Sequence, residues 1–269
     1  MAWLSAAAAA ALITYGLVAA LVWFAQERLI FFPQPRQGSP LPPAGWLIEE
    51  VHLQAGDGTP LAGVLVKPPS ARPPLVIYFG GNAEEVTGFA PFAAQTYGER
   101  AALFVNYRGY GASGGRPGQR VMVADAAEVF DWAARRTDID GDRIAIHGRS
   151  LGASVAVHTA SQRPARCVVL TSPFDSARAV AQRVYPWLPV GLLIRHPFDS
   201  LALAPKLKMP VLVLMGDSDN VVPMSHSKIL ADAWGGPVER RVFAGFGHND
   251  LGVNPGYDEA IRAFLSRCL

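Results

Sequence analysis

Five short apolar runs constrain the fold of this chain more than any other feature. They cover residues 75–79, 102–106, 143–147, 167–171 and 211–215, and most of their residues are branched. Runs of this kind are typical of strands buried on both faces of a parallel sheet. Helical patterns at residues 121–136 and 154–162 fall between them, and this alternation predicts a doubly wound α/β sheet.

The flanking segments complete the predicted domain, which covers residues 46–269. Residues 47–54 and 61–66 are strand-like and are joined by a turn rich in glycine, so the sheet should begin with an antiparallel hairpin. A short strand at residues 242–244 and a helix at 257–269 should close the sheet. Residues 174–209 are too long for a simple connection and predict a small cap.

The N-terminus has the composition of a membrane helix. Residues 1–26 carry no charged side chain, and about 20 apolar residues suffice to cross roughly 30 Å of hydrocarbon. Trp3 and Trp23 lie near the two ends, where amphipathic rings favour the interface. The absence of a basic segment before the apolar run favours an anchor, residues 1–28, over a cleaved signal peptide. Arg28 and Arg36 follow the helix and favour a cytoplasmic catalytic domain.

Residues 29–45 are rich in proline and predict an extended tether that lifts the domain off the bilayer. We therefore expect a chain beginning near Pro40 to be soluble and to keep its full activity on a water-soluble substrate. The formal charge of +2, without a dense basic run, excludes a nucleic-acid footprint. Cys167 and Cys268 lack metal-ligand spacing and are expected to be free thiols.

The strongest functional signal is the sequence Gly148-Arg149-Ser150-Leu151-Gly152, which follows a predicted strand and precedes a helix. A sharp turn of this kind requires glycine on both sides and raises the serine hydroxyl above the sheet. The alternative is a serine in an ordinary tight turn. The context favours Ser150 as a nucleophile.

A serine nucleophile needs a histidine as general base and an acid that orients it. His248 lies in a glycine-flanked loop after the last strand, whereas the other five histidines lie in strands, helices or the cap. Asp217 and Asp219 both follow the strand at residues 211–215. Asp219 reaches further over the sheet edge and is the predicted acid, while Asp217 is expected to cap the turn.

An acyl transfer also needs two N–H groups that bind the oxyanion. Leu151 follows the nucleophile at the helix N-terminus and should supply one of them. The second should come from the loop after residues 75–79, with Asn82 as the first candidate and Gly81 as the next. The glycine-rich loop at residues 106–115 lacks the Lys-Ser/Thr pair of a phosphate loop, so Arg108 is expected to be structural.

With these residues in place, the chain resembles the membrane-anchored α/β-hydrolase-domain proteins, which include acyl-protein thioesterases and lysophospholipases. The resemblance covers nearly the whole chain, in the segments 27–33, 106–115, 148–152, 186–189, 216–223 and 247–249. It implies the α/β-hydrolase fold and a triad of Ser150, Asp219 and His248. The relatives usually carry histidine at the position of Gly80, and this chain has no cysteine near its N-terminus for lipid modification.

Together these features predict a serine hydrolase that cleaves an ester or thioester, with an acyl substrate that is small or lipid-like. No metal or organic cofactor is expected, and no nucleic-acid partner. A serine peptidase and a catalytically silent, membrane-tethered binding module are the alternatives. The acyl chain, the leaving group and the oligomeric state do not follow from the sequence.

Overall fold

The computed structural model describes residues 1 and 3–269 of the chain. The strands are β1 (Leu47–Gln54), β2 (Pro60–Lys67), β3 (Leu75–Phe79), β4 (Ala101–Val105), β5 (Ile144–Arg149), β6 (Cys167–Thr171), β7 (Val211–Gly216) and β8 (Val238–Phe243). The helices are α1 (Ala2–Ile30), α2 (Ala93–Tyr97), α3 (Gln119–Ala134), α4 (Leu151–Ala160), α5 (Ala177–Val184), α6 (Val190–Leu193), α7 (Met224–Ala233) and α8 (Pro255–Cys268). Short 3₁₀ helices cover Val86–Phe92, Ala204–Lys206 and Leu251–Val253.

The strands form one sheet in the order β1-β2-β4-β3-β5-β6-β7-β8. β1 and β2 form the predicted antiparallel hairpin, β2 is antiparallel to β4, and the strands from β4 to β8 pair in parallel. The predicted doubly wound sheet is confirmed.

Side chains alternate between two cores because successive residues of a strand point to opposite faces. In β3, Leu75 and Ile77 belong to the core on one face, and Val76 and Tyr78 belong to the core on the other. All residues of β3, β4, β6 and β7 are buried. Strands covered on both faces lose the alternation of apolar and polar residues, which explains their continuously apolar sequences.

β8 is longer than the three residues expected for it. It runs from Val238 to Phe243 and includes Glu239, Arg240 and Arg241, whose charges hide the strand in the sequence. Such charges suit this strand because it lies at the edge of the sheet and pairs on one side only, with β7.

The expected cap contains α5, α6 and the 3₁₀ helix Ala204–Lys206. It starts directly after β6, at the carboxyl edge of the sheet. Ser176 caps α5 through its side chain, which accepts a hydrogen bond from the Ala179 N–H at 3.1 Å. This bond fixes where α5 begins, a few residues after the end of β6.

The segment after α1 differs from the expected tether, because it packs on the domain. Phe31 is 3% exposed and lies in the core, against His196 and Phe198. The Gly111 N–H donates to the Gln34 carbonyl at 2.8 Å, and Pro35 forms a bridge with Gly111. Burial of the apolar Phe31 side chain lowers the free energy, and an extended spacer would leave that side chain exposed to solvent. The segment therefore follows the protein surface.

The two cysteines are bonded to each other, so the expectation of free thiols was wrong. Cys167 is fully buried at the start of β6, and Cys268 ends α8. The sheet face on which α8 packs brings the two residues together although 101 positions separate them. Spacing in the sequence carries no signal for such a pair.

Candidate active site

Ser150 lies at a sharp turn between β5 and α4. Its φ of 52° and ψ of −115° are unusual for a residue with a side chain. A Cβ at Gly148 would lie 2.2 Å from the Gly152 carbonyl oxygen, and a Cβ at Gly152 would lie 2.0 Å from the Phe79 oxygen. Both glycines are therefore required by close contacts, as the sequence predicted.

Ser150, His248 and Asp219 form one hydrogen-bonded series. His248 Nε2 lies 2.9 Å from Ser150 Oγ, and His248 Nδ1 lies 2.8 Å from Asp219 Oδ2. The side chains of His248 and Asp219 are 8% and 2% exposed. The arrangement has the connectivity in which a histidine takes a proton from serine while a carboxylate orients it.

The two aspartates after β7 have different contacts. Asp219 Oδ1 accepts hydrogen bonds from the N–H groups of Val221 and Val222 at 2.9 and 2.7 Å, and its other oxygen faces His248. Asp217 accepts from the Gly245 N–H at 2.7 Å and holds the turn. Asp219 therefore contacts the His248 ring, and Asp217 contacts the backbone of the turn at Gly245.

Burial raises the pKa of Asp219, but hydrogen bonds from His248, Val222 and Val221 lower it by more. The net pKa lies below the usual range of an aspartate. Asp219 is consequently ionised at neutral pH, as a group that orients an imidazole must be.

Among the described residues, His248 is the histidine that contacts Ser150. His147 lies in β5 between the Tyr97 hydroxyl at 2.9 Å and Thr171 Oγ1 at 3.0 Å, and burial lowers its pKa to about 3. His226 pairs with Asp175 at 2.8 Å. These histidines have structural partners, which agrees with their expected roles.

The predicted oxyanion donors differ in their availability. The Gly81 N–H donates to Glu84 Oε2 at 2.6 Å and is therefore occupied. Within the described part of the chain, the backbone N–H groups of Leu151 and Asn82 have no such partner. Of the two loop candidates, Asn82 is the one whose N–H remains free for an oxyanion.

The Asn82 side chain binds the segment that follows α1, a contact that sequence reasoning missed. Its Nδ2 donates to the Ile30 carbonyl, and its Oδ1 accepts from the Phe32 N–H at 3.0 Å. The Tyr110 hydroxyl donates to the same oxygen at 3.0 Å. The end of the N-terminal helix thus holds the loop that carries the candidate oxyanion donor.

Arg149 and Glu84 link three loops of the site, and neither was predicted. Arg149 Nη2 donates to the His248 carbonyl at 3.0 Å and to Asn249 Oδ1 at 2.9 Å, and its guanidinium pairs with Glu84. Glu84 also accepts from the Tyr78 hydroxyl at 2.9 Å. Arg149 stands in the motif itself, so its position beside Ser150 is the only signal that the sequence offered.

Arg108 has the structural role that was expected. Its guanidinium pairs with the buried Asp125 at 2.5 Å and with Asp57 at 2.5 Å, which raises its pKa. The ion pairs join the loop at residues 106–115 to the β1–β2 turn and to α3. They involve no residue of the triad.

A cavity of about 420 Å³ lies next to the histidine loop. Its wall includes Phe89, Phe92 and Val253 together with Arg149 and Asn249, whereas Ser150 is not part of the wall. Among the described residues, no group of three or more His, Cys, Asp or Glu side chains is arranged to hold a metal ion.

Comparisons with solved structures agree with the fold. An acetyl xylan esterase from Paenibacillus sp. R4 matches with a TM-score of 0.73 and 20% identity, over 93% of this chain and 94% of that one. The Pyrococcus furiosus esterase Pf2001 matches with a TM-score of 0.69 and 20% identity, over 88% and 98% of the two chains. Likeness at this level of identity concerns the fold alone.

Sequence comparisons give the family. A family model described as serine aminopeptidase, S33, matches residues 71–198. Uncharacterized protein Rv2307c of Mycobacterium tuberculosis is 36% identical over 95% of this chain and 92% of its own length. The α/β-hydrolase domain-containing protein WAV2 of Arabidopsis thaliana is 30% identical over 79% of this chain and 76% of its own length. An identity of this size across three quarters of both chains reflects common descent, and the chain belongs to the α/β-hydrolase-domain proteins.

Proposed function

We propose that the protein is a serine hydrolase that cleaves an ester or thioester. The observation that carries this proposal is the series of hydrogen bonds from Ser150 through His248 to Asp219. Two of the structural neighbours are esterases by name, which supports an ester as the substrate.

In the proposed reaction, His248 Nε2 removes the hydroxyl proton of Ser150 while Oγ attacks the acyl carbonyl carbon. The tetrahedral intermediate collapses when the protonated His248 gives its proton to the departing alcohol or thiol, and an acyl-serine remains. Water then attacks the acyl-serine with His248 again as the base, which releases the acid and restores Ser150. Asp219 stays ionised and orients the imidazole throughout.

The N–H groups of Leu151 and Asn82 are the proposed oxyanion donors. Each donor in such a site stabilises the tetrahedral intermediate by about 3 kcal/mol. Gly81 is a weaker candidate because its N–H is bonded to Glu84.

Labelling with a fluorophosphonate probe tests the reaction class. We expect the wild-type chain to be labelled and Ser150→Ala to remain unlabelled, with Ser161→Ala as a control at the far end of α4. An unlabelled wild-type chain that is folded by circular dichroism would support the alternative of a silent binding module.

A substrate panel then tests the class of bond. We expect turnover of short esters, thioesters or lysolipids, and no turnover of peptide amides. Hydrolysis of peptides alone would favour the peptidase activity that the name of the family model suggests.

We further propose that α1 anchors the protein to a membrane. Residues 3–30 form an apolar helix whose most apolar 18-residue window has a mean hydropathy of 2.0 and is not buried inside the protein. A helix of this length can cross a bilayer. The full-length chain should remain with membranes after extraction at alkaline pH, and its release would contradict the anchor.

A further inference from the structure

The outer surface of the cap exposes an unusual concentration of large apolar side chains. Val184, Tyr185, Trp187 and Leu192 are 57%, 49%, 56% and 83% exposed. These four residues, which we call the cap patch, lie on α5, α6 and the loop between them. Grouped apolar side chains on the surface of a protein mark a site of interaction with another apolar partner.

The cap patch lies alongside α1, and specific contacts fix how far along the helix it reaches. The Tyr15 hydroxyl donates to the Trp187 carbonyl at 2.9 Å, and the two rings meet edge to face at 6.5 Å. Nearer the domain, Gln26 donates to the Leu193 carbonyl at 3.1 Å and accepts from the Arg195 N–H at 2.7 Å. The cap therefore accompanies the helix from Gln26 back to Tyr15.

This register limits how much of α1 is clear of the protein. Residues 4–14 precede Tyr15 and cover about 16 Å at 1.5 Å per residue. The hydrocarbon layer is about 30 Å thick, and a typical helix tilt of about 20° shortens the span further. A helix that crosses the bilayer must therefore use residues that have the cap beside them.

We propose that the cap patch is immersed in the lipid bilayer next to α1, so that the catalytic domain sits partly within one leaflet. This inference rests on the proposed anchor. The occupant of the patch is the acyl region of the membrane, because the helix that the patch contacts is itself the membrane-spanning element.

The charges around the patch suit this depth. Glu27 and Arg195 pair at 3.4 Å near the domain end of α1, and the Arg195 guanidinium lies over the Trp23 ring at 5.6 Å. These groups belong at the headgroup level, where ions and aromatic rings are stable. Arg183 is exposed beside the patch, and its long side chain can reach the headgroups from there.

Immersion of the cap has a consequence for the substrate. The cap leaves β6 directly after Thr171, whose carbonyl accepts the Ser150 N–H at 2.9 Å. The catalytic edge of the sheet would thus lie at the membrane surface, where acyl substrates dissolved in lipid are concentrated.

A fluorescent reporter on the full-length chain in phosphatidylcholine vesicles tests the depth. An environment-sensitive dye is attached to Leu192→Cys, or to Ile229→Cys on α7 as a control, since Ile229 is 45% exposed outside the cap. We expect the dye at position 192 to be quenched by lipids with a nitroxide on the acyl chain and protected from aqueous iodide. The dye at position 229 should show the opposite behaviour.

Three outcomes are distinguishable because flotation and hydrolysis of a soluble ester are measured on the same samples. A chain that floats with the vesicles, but whose dye at position 192 is as open to iodide as that at 229, overturns the immersed cap and leaves the anchor standing. A chain that does not float overturns both. If the wild-type chain does not hydrolyse the soluble ester, the proposed reaction is overturned, and the proposed position of the cap is unaffected.

Charge on the patch gives a second, functional test. Leu192→Glu should lower turnover of a substrate embedded in vesicles several-fold and leave turnover of a soluble ester unchanged. Ile229→Glu should change neither rate. Equal rates for Leu192→Glu and wild type on both substrates would contradict the inference.

Discussion

Two regions hold the candidate active site together, one through charged side chains and the other through neutral hydrogen bonds. On one side, Arg149 and Glu84 connect the serine turn, the oxyanion loop and the histidine loop through charged groups inside the domain. On the other side, the same oxyanion loop is held through Asn82 by neutral hydrogen bonds to the segment after α1. The contacts among Ser150, His248 and Asp219 therefore lie within the domain, whereas the loop that carries Asn82, a proposed oxyanion donor, is also held by the N-terminal segment.

The largest expected effect is the loss of the nucleophile. Ser150→Ala should lower kcat by about 10⁴-fold or more, because the triad acts as a unit and only binding and the oxyanion donors remain. Steady-state hydrolysis of a short ester measures this, with Ser161→Ala as the matched control. A tenth of the wild-type rate in Ser150→Ala would remove Ser150 from the mechanism.

The next effect separates the two aspartates. Asp219→Asn should lower kcat by about 10⁴-fold because an amide stabilises the wrong imidazole tautomer. Asp217→Asn should lower the melting temperature more than kcat, since Asp217 holds the Gly245 turn. The reverse ranking of the two variants in kcat would transfer the acid role to Asp217.

Truncation tests how far the domain depends on the N-terminal segment. Because Phe31 and Phe32 contact the domain, we no longer expect full activity from a chain beginning near Pro40. We expect this chain to have a lower melting temperature and slower ester hydrolysis than a chain that keeps both residues. Loss of the buried Phe31 should cost about 3–5 kcal/mol of folding free energy. A chain beginning at Gln26 keeps these contacts and serves as the control. Equal melting temperatures and equal ester hydrolysis for the two chains would restore the tether interpretation.

The smallest effect isolates a single backbone donor. Phe32→Pro removes the N–H that donates to Asn82 Oδ1 and to the Tyr110 hydroxyl. The extended backbone of Phe31, with φ −108° and ψ 130°, already suits a following proline. We expect kcat to fall about tenfold with little change in KM, because the misplaced loop affects the oxyanion rather than substrate binding.

Phe32→Ala keeps the donor and removes only a half-exposed ring, so it should retain the wild-type kcat. If the alanine variant loses as much activity as the proline variant, the ring matters and the hydrogen bond does not.

The sequence predicted those features that depend on local stereochemistry. Gly148 is required by a contact within a few residues of Ser150, and the apolar strands follow from burial on both faces. It did not predict the contacts of Asn82 with Ile30, or of Arg149 with Glu84. A polar residue can bond to many different partners, and the sequence does not indicate which distant residue the fold brings next to it. The proline-rich segment was misjudged for the same reason: its composition excludes regular structure but does not exclude docking.

The bond between Cys167 and Cys268 bears on where the domain resides. Disulfides persist in oxidising compartments and are rare in the cytosol. The bond thus favours an extracytoplasmic catalytic domain, against the orientation that Arg28 and Arg36 favour by charge. In protein isolated with its free thiols blocked, we expect a maleimide to label the denatured chain only after reduction. No labelling even after reduction would show that both thiols were free and would remove the support for an extracytoplasmic domain.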